Sequence, residues 1–332
     1  MKNDAVPIIN TFKHNGAEFI EIINNVGMSV TFSNFGAAIY QIKYLDELMT
    51  SQVKNIDDFF NNKVYNGKAI GRVAGRLEGS SIKIDGKEYK LSPNEDGNVL
   101  HGGEKGISTR LFSQRVFNTT EHVHVVYTLF SSAGHCGFPG NALFEVHYIV
   151  SNNKPKLKVK LLSYVTEKCP VSLTGHTFLS LGEKNLDNIS MKINASKYLD
   201  IRSKDLILGK EKAVPSYLDF RKAKSILKDI NAKEINEGKL HGYDHCFIFD
   251  KVDDEIPQVS LEGSKFKVNV FTNFDSVVIY SDNYPDGYER DNSKDKSRRG
   301  VAVEPQLNPS KDRYLSRGDE FDYFYRYEFE KK

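Results

Sequence analysis

Five side chains in short, distinctive strings could do chemistry together. They are Arg76 in Gly71-Arg72-Val73-Ala74-Gly75-Arg76, His101 in Leu100-His101-Gly102-Gly103, His176 in Thr174-Gly175-His176-Thr177, Asp244 in Tyr243-Asp244-His245, and Glu304 in Val303-Glu304-Pro305-Gln306. The set supplies one guanidinium, two imidazoles and two carboxylates. Such groups can hold a polyhydroxylated molecule by its oxygens and move protons on it, with no metal or organic cofactor required. That chemistry is sugar chemistry.

Each string also has a plainer reading. His101 before two glycines could mark an ordinary turn, and His176 between Leu173 and Leu179 could be a satisfied core histidine. Glu304, after Val301, Ala302 and Val303, is either a bridging group or a buried base, and Tyr243-Asp244-His245 could be a structural turn. The glycines at 71, 75 and 79 lack the spacing and the strand–loop–helix setting of a phosphate-binding fingerprint. His122 and His124 share one face of a strand as two metal ligands would, but no third ligand is spaced to join them, so a polar outer face is expected. The basic run Lys294-Asp295-Lys296-Ser297-Arg298-Arg299 reads as a solvated turn.

The elements that must position these groups are strands. Val123, Val125, Tyr127 and Leu129 alternate with polar residues; so do Phe144, Val146, Tyr148 and Val150, then Leu157, Val159 and Leu161. Phe266, Val268 and Val270 repeat the pattern, and Phe321 to Phe329 closes the chain with it. Alternation of this kind marks half-buried strands of antiparallel sheets. Asp85-Gly86 between Ile82–Ile84 and Tyr89–Leu91 signals a tight hairpin, since two-residue turns of the favoured hand need positive φ. Helical spacing occurs in two segments, 51–61 (Val53, Ile56, Phe60) and 221–231 (Ala223, Ile226, Leu227, Ile230). No repeat or linker divides the chain. Residues 1–332 are therefore expected to form a single all-β domain, a large antiparallel β-sandwich with a few short helices.

Composition narrows the function classes. At 332 residues no disulfide or metal staple is required for a core. Lys plus Arg is 46 against 44 for Asp plus Glu, a net charge of +2, which gives no electrostatic case for nucleic acid or an anionic membrane. Three cysteines, Cys136, Cys169 and Cys246, have no metal-ligand spacing and read as reduced thiols. The N-terminal stretch from Met1 shows no apolar signal-peptide core, and no apolar run reaches about 18 residues, so a cytoplasmic protein is expected.

Taken in order, the strings resemble one family, the aldose 1-epimerases or galactose mutarotases. Arg76 and His101, 25 positions apart around a hairpin, are similar to that family's Arg…His-Gly-Gly pair. Thr174-Gly175-His176-Thr177-Phe178, Asp219-Phe220-Arg221, Tyr243-Asp244-His245-Cys246-Phe247, Val303-Glu304-Pro305-Gln306 and the Gly137-Phe138-Pro139-Gly140 loop resemble its other motifs, over about residues 15 to 328. The resemblance implies a β-supersandwich with a concave face. It implies His176 as general acid, Glu304 as general base, and Arg76, His101 and Asp244 as sugar-orienting residues. Phe178 or Tyr280 would then face the apolar side of the ring. No cofactor and no metal are implied. The substrate would be a free aldose such as galactose or glucose, and the assembly a monomer or homodimer.

Two departures stand out: Gly75 where many members have Asn, and Phe178-Leu179-Ser180 in place of Tyr-Phe-Asn, both bearing on sugar preference. Chemistry on an anomeric centre starting from carboxylate and imidazolium would require the pair's proximity to hold His176 protonated near neutral pH. The rivals are a hexose-6-phosphate 1-epimerase, which needs more cations than Arg72 and Arg76, and a non-catalytic carbohydrate-binding sandwich, which has no need of both His176 and Glu304. A metal-dependent hydrolase on His122 and His124 is a third.

Overall fold

The computed structural model describes residues 6–61, 64–201, 206–311 and 313–332, so the residues from Met1 to Ala5 lie outside the description. Two curved antiparallel sheets carry the architecture. The larger has nine strands, ordered in space Ser113–Asn118, His122–Ser131, Ala142–Ser151, Lys156–Val165, Phe321–Lys331, Phe266–Thr272, Val259–Glu262, Ser190–Ile193 and Lys224–Ser225. The smaller has six: Phe178–Leu179, Val301–Gln306, Ser276–Tyr280, Asp244–Ile248, Lys197–Ile201 and Leu208–Ala213. A five-stranded N-terminal meander runs from Ile8–His14 to Glu47–Leu48.

The expected alternation sets the packing. Val123, Val125, Tyr127, Phe144, Val146, Tyr148, Val150, Leu157, Val159 and Leu161 are buried, while His122, His124, Glu145 and His147 lie on the opposite face. One core cluster of buried residues draws members from Ile20 to Phe329. Each such side chain removed from water contributes about 1.5–3 kcal/mol before entropy is subtracted. The Asp85-Gly86 turn closes Ser81–Ile84 onto Lys87–Lys90, with φ of 49° and 86° at its two residues.

Three local expectations need correction. The 51–61 helix shortens to Ile56–Asn61, because Gln52 is bonded by its amide to Asp291 and Val53 bridges Arg290; the Asn55 side chain then accepts the Asp57 amide at the helix start. The 221–231 segment is not a helix. Ser225 and Lys224 pair with Ser190 and Met191 at the edge of the large sheet, and the following turns bury Ile226 and Ile230 instead. Ladder bonds at a sheet edge outweigh weak helical spacing. Finally, Arg299 is no solvated-loop residue. It is 1% exposed, with Nε 2.7 Å from Asp282 Oδ2 and Nη1 3.2 Å from Asp286 Oδ1.

His122 and His124 do occupy a polar face: His124 Nε2 lies 2.9 Å from His147 Nδ1, and His147 Nε2 3.2 Å from Glu145. Among the described residues no helix is long and apolar enough to cross a membrane.

Gly67 shows how closely the fold holds the candidate site. Its φ is 73°, its amide donates to the His176 carbonyl at 2.8 Å, and a Cβ there would strike the Ile39 carbonyl oxygen. Gly67→Ala should therefore lose about 2 kcal/mol or more of stability in equilibrium denaturation, and an unchanged midpoint would refute this account.

Candidate active site

The five residues singled out by type come together beside two strands of the six-stranded sheet, which carry Asp244 and Glu304. Glu304 sits within Val301–Gln306, directly opposite Val278 on the neighbouring strand, and Asp244 opens its own strand opposite Tyr280. His176 lies between two short strands, Thr174–Gly175 paired with Ala69–Ile70, and Phe178–Leu179 paired with Val301 and Ala302. Its amide donates to the Lys68 carbonyl at 3.0 Å. Arg76–Leu77 pairs with Val99–Leu100, which brings His101 beside Gly75. The His101 amide donates to the Gly75 carbonyl at 3.0 Å, and the Gly75 amide donates to His101 Nδ1 at 3.2 Å. The turn requires glycine next, because a Cβ at Gly102 would strike the Gly71 carbonyl.

His176 Nε2 lies 3.3 Å from Glu304 Oε1, and the two residues are 6% and 3% exposed. The His101 and His176 rings are 5.5 Å apart, edge to face, with Tyr65 4.8 Å from His101. Arg76 donates through Nε and Nη2 to Glu95, at 2.5 and 3.0 Å, and its Nη1 is 3.7 Å from Asp244 Oδ2. A cavity of about 430 Å³ is lined by Arg76, His101, Asp244 and Glu304, while His176 lies behind its wall against Glu304. Its polar wall includes Arg76, Glu95, His101, Asp244, Glu304 and Gln306; its apolar wall includes Leu206, Leu208 and Val278, and Tyr280 and Tyr284 complete one side.

Burial governs the protons. Desolvation raises the Glu304 carboxyl well above the usual range; the Asp244 charge adds to this and Arg76 opposes it. Burial pushes His176 down to about 4, with the Arg290 charge acting the same way. Desolvation therefore runs against the expected imidazolium. In so dry a place burial favours the neutral carboxylic acid and the neutral imidazole. His101 is also held well below its ordinary range by burial and then by His176 and Arg76. Asp244 is raised by burial, an effect that Arg76 counters and Glu95 adds to. Burial opposes the charge on Arg76, but Asp244 and Glu95 outweigh it.

His101, His176 and Glu304 offer ligand atoms within 4.8 Å of one another, the one such metal-sized group among the described residues. The hydrogen bonds speak against its use for a metal. Because His101 Nδ1 accepts the Gly75 amide, the ring proton of the neutral imidazole sits on Nε2, which is a donor and not a ligand. The same tautomer suits a sugar oxygen.

Not every expectation is met. Phe178 is 1% exposed and does not line the cavity; it packs against His176, ring centroids 5.1 Å apart, while Tyr280 reaches the cavity wall. Arg72 is spent on structure, donating to the Pro139 and Gly140 carbonyls at 2.7 and 3.0 Å. Sequence reasoning missed Glu95, Tyr65 and Tyr284, which carry no local signal. Gln306 could have been found, since it lies two residues beyond Glu304 and so on the same face.

A large antiparallel β-sandwich with a buried histidine–glutamate pair beside a cavity of mixed polar and apolar lining defines the class of protein. The chain belongs to the aldose 1-epimerase family, whose model matches residues 18–328. It is 27% identical to the aldose 1-epimerase of Escherichia coli K12, over 92% of this chain and 93% of that one. It is 29% identical to the galactose mutarotase of Bos taurus, over 70% and 66% of the two. The fold matches a solved galactose 1-epimerase from Lactobacillus acidophilus NCFM with a TM-score of 0.89 at 24% identity, covering 98% and 99% of the chains.

The tautomer and charge assignments are directly measurable. Nitrogen-15 NMR should show His101 as the Nε2–H form, and both His101 and His176 still neutral as pH falls from 7 to about 5. An imidazolium at His176 at pH 6 would contradict them.

Proposed function

We propose that this chain interconverts the α and β anomers of free hexoses such as galactose and glucose, with Glu304 as general base and His176 as general acid. The single observation that carries the reading is the 3.3 Å contact between these two groups, both withdrawn from water, with Glu304 in the wall of the cavity. The whole chain would work as one domain, cytoplasmic, as a monomer or homodimer.

Ring opening needs a proton removed from the C1 hydroxyl and one delivered to the ring oxygen. On sugar binding, the shared proton passes from Glu304 to His176. Glu304 then takes the C1 hydroxyl proton, the C1–O5 bond breaks with its electron pair going to O5, and His176 protonates that oxygen. What remains is a neutral carboxylic acid, a neutral imidazole and an open-chain aldehyde. This is the charge state that burial favours and the one the pair started from, so the dry site opposes only the transient ion pair between the two. Rotation about C1–C2 and the reverse transfers close the ring on the other face. Arg76, His101 and Asp244 hold ring hydroxyls while C1 turns.

The phosphate rival fits the charges poorly. The cations lining the cavity are Arg76, held by Glu95, and Lys239, 2.5 Å from Asp96, while Glu95, Asp244 and Glu304 line it with carboxyls. A phosphate would face those carboxyls.

Glu304→Gln and His176→Asn should each cut turnover by about a hundredfold or more with the fold intact, as polarimetry of freshly dissolved α-galactose and α-glucose would show. Near-native rates in either variant would remove the assignment; faster exchange of the 6-phosphates than of the free sugars would favour the rival. A chelator should leave the rate unchanged. Lowering the pH adds a second proton to the pair only as His176 charges, at about 4. Activity should thus survive to about pH 5 and not fall near the ordinary histidine value of about 6.5. A half-maximal acid limb at 6.5 would be the contrary result.

A further inference from the structure

Glu95 is a carboxylate in the cavity wall that the mechanism above does not use. It lies in the loop between Lys87–Lys90 and Val99–Leu100, and that loop is fixed from within. The Asn98 amide donates to the Glu95 carbonyl at 2.7 Å, and the Asn94 side chain accepts the Leu100 amide at 2.8 Å while donating to its carbonyl at 3.1 Å. The carboxylate therefore meets Arg76 from a rigid position. Both of its oxygens are engaged, one by Nε and one by Nη2, in the two-point geometry that suits a guanidinium.

The consequence lies on the other side of the arginine. Asp244 is only 3.7 Å from Nη1, too far for a hydrogen bond, and with Glu304 it is a further carboxyl facing that charge. Without Glu95, Coulomb attraction would draw Arg76 onto Asp244 and close a direct pair across the cavity. With Glu95 in place, Nη1 of Arg76 and the Asp244 carboxyl both stay open to the cavity.

We propose that Glu95 is a positioning residue for the sugar: its clasp holds Arg76 off Asp244, so that the guanidinium and the carboxyl each present a free edge to substrate hydroxyls. Gly75 sharpens the case. A Cβ added there would meet nothing within 4 Å, and the residue lines the same cavity, so no side chain from that position contributes to the polar wall. The proposal rests on the epimerase reading for its substrate, and binding tests it separately from turnover.

The test uses the full chain with Glu95→Gln, which is isosteric, and Glu95→Ala, which removes the arm. Titration calorimetry with galactose should show Kd raised about tenfold for the Gln variant and further for Ala, while the rate at saturating sugar changes less than about twofold. The pH dependence of Kd supplies the readout that a purely structural role would not move. Removing the Glu95 charge and letting Arg76 approach should ionise Asp244 at lower pH, so the acidic limb of binding should shift downward in the Gln variant. Native Kd in both variants, an acidic limb that stays in place, or a loss confined to the saturated rate would overturn the proposal. A wild-type protein that binds galactose yet leaves its anomers at the uncatalysed rate would instead sink the epimerase reading and leave the clasp to be judged on Kd alone.

Discussion

The structure turns on a histidine and a glutamate placed side by side with almost no access to water. Charging both there would forfeit hydration, so burial raises the glutamate and lowers the histidine, favouring the neutral form of each. Everything near the pair serves to keep it dry, fixed and reachable from one side. Phe178 closes one flank of His176, and Arg290 adds a positive charge that disfavours a second proton on it. The Gly67 and Lys68 backbone clamps His176 from both directions.

Polar residues in the cavity divide by what they are already bonded to. His101 has spent one nitrogen on the Gly75 amide and keeps the other as a donor. Arg76 is committed on two nitrogens and open on the third. Arg290 and Arg299, by contrast, are buried among Asp282 and Asp286 and brace the segment behind Phe178 without reaching the cavity. A side chain's remaining hydrogen-bonding capacity, more than its charge, separates the residues able to meet a ligand from those that hold the frame.

Resemblance to the aldose 1-epimerases and the structure agree on the build of the sandwich, and they part over detail. Phe178 or Tyr280 was expected against a sugar face; Phe178 packs against the histidine, and Tyr280 is the one at the wall. The basic run ending in Arg299 looked like solvent-exposed sequence, since nothing local announces that two aspartates 13 and 17 positions back will fold over it. The 221–231 segment had weak helical spacing, and the sheet edge beside it offered bonds that no local pattern displays.

By itself the sequence determined the strands, through side chains that alternate every second residue, the hairpin at Asp85-Gly86, and the five chemical groups with their order along the chain. These are legible because pleat geometry and turn dihedrals act over a few residues. Only the tertiary structure decided that the pair is withdrawn from water, which nitrogen of His101 donates, and that Glu95 is Arg76's partner. Those outcomes depend on exclusion of water and on distances between residues far apart in the chain, and neither quantity has a signature in local spacing.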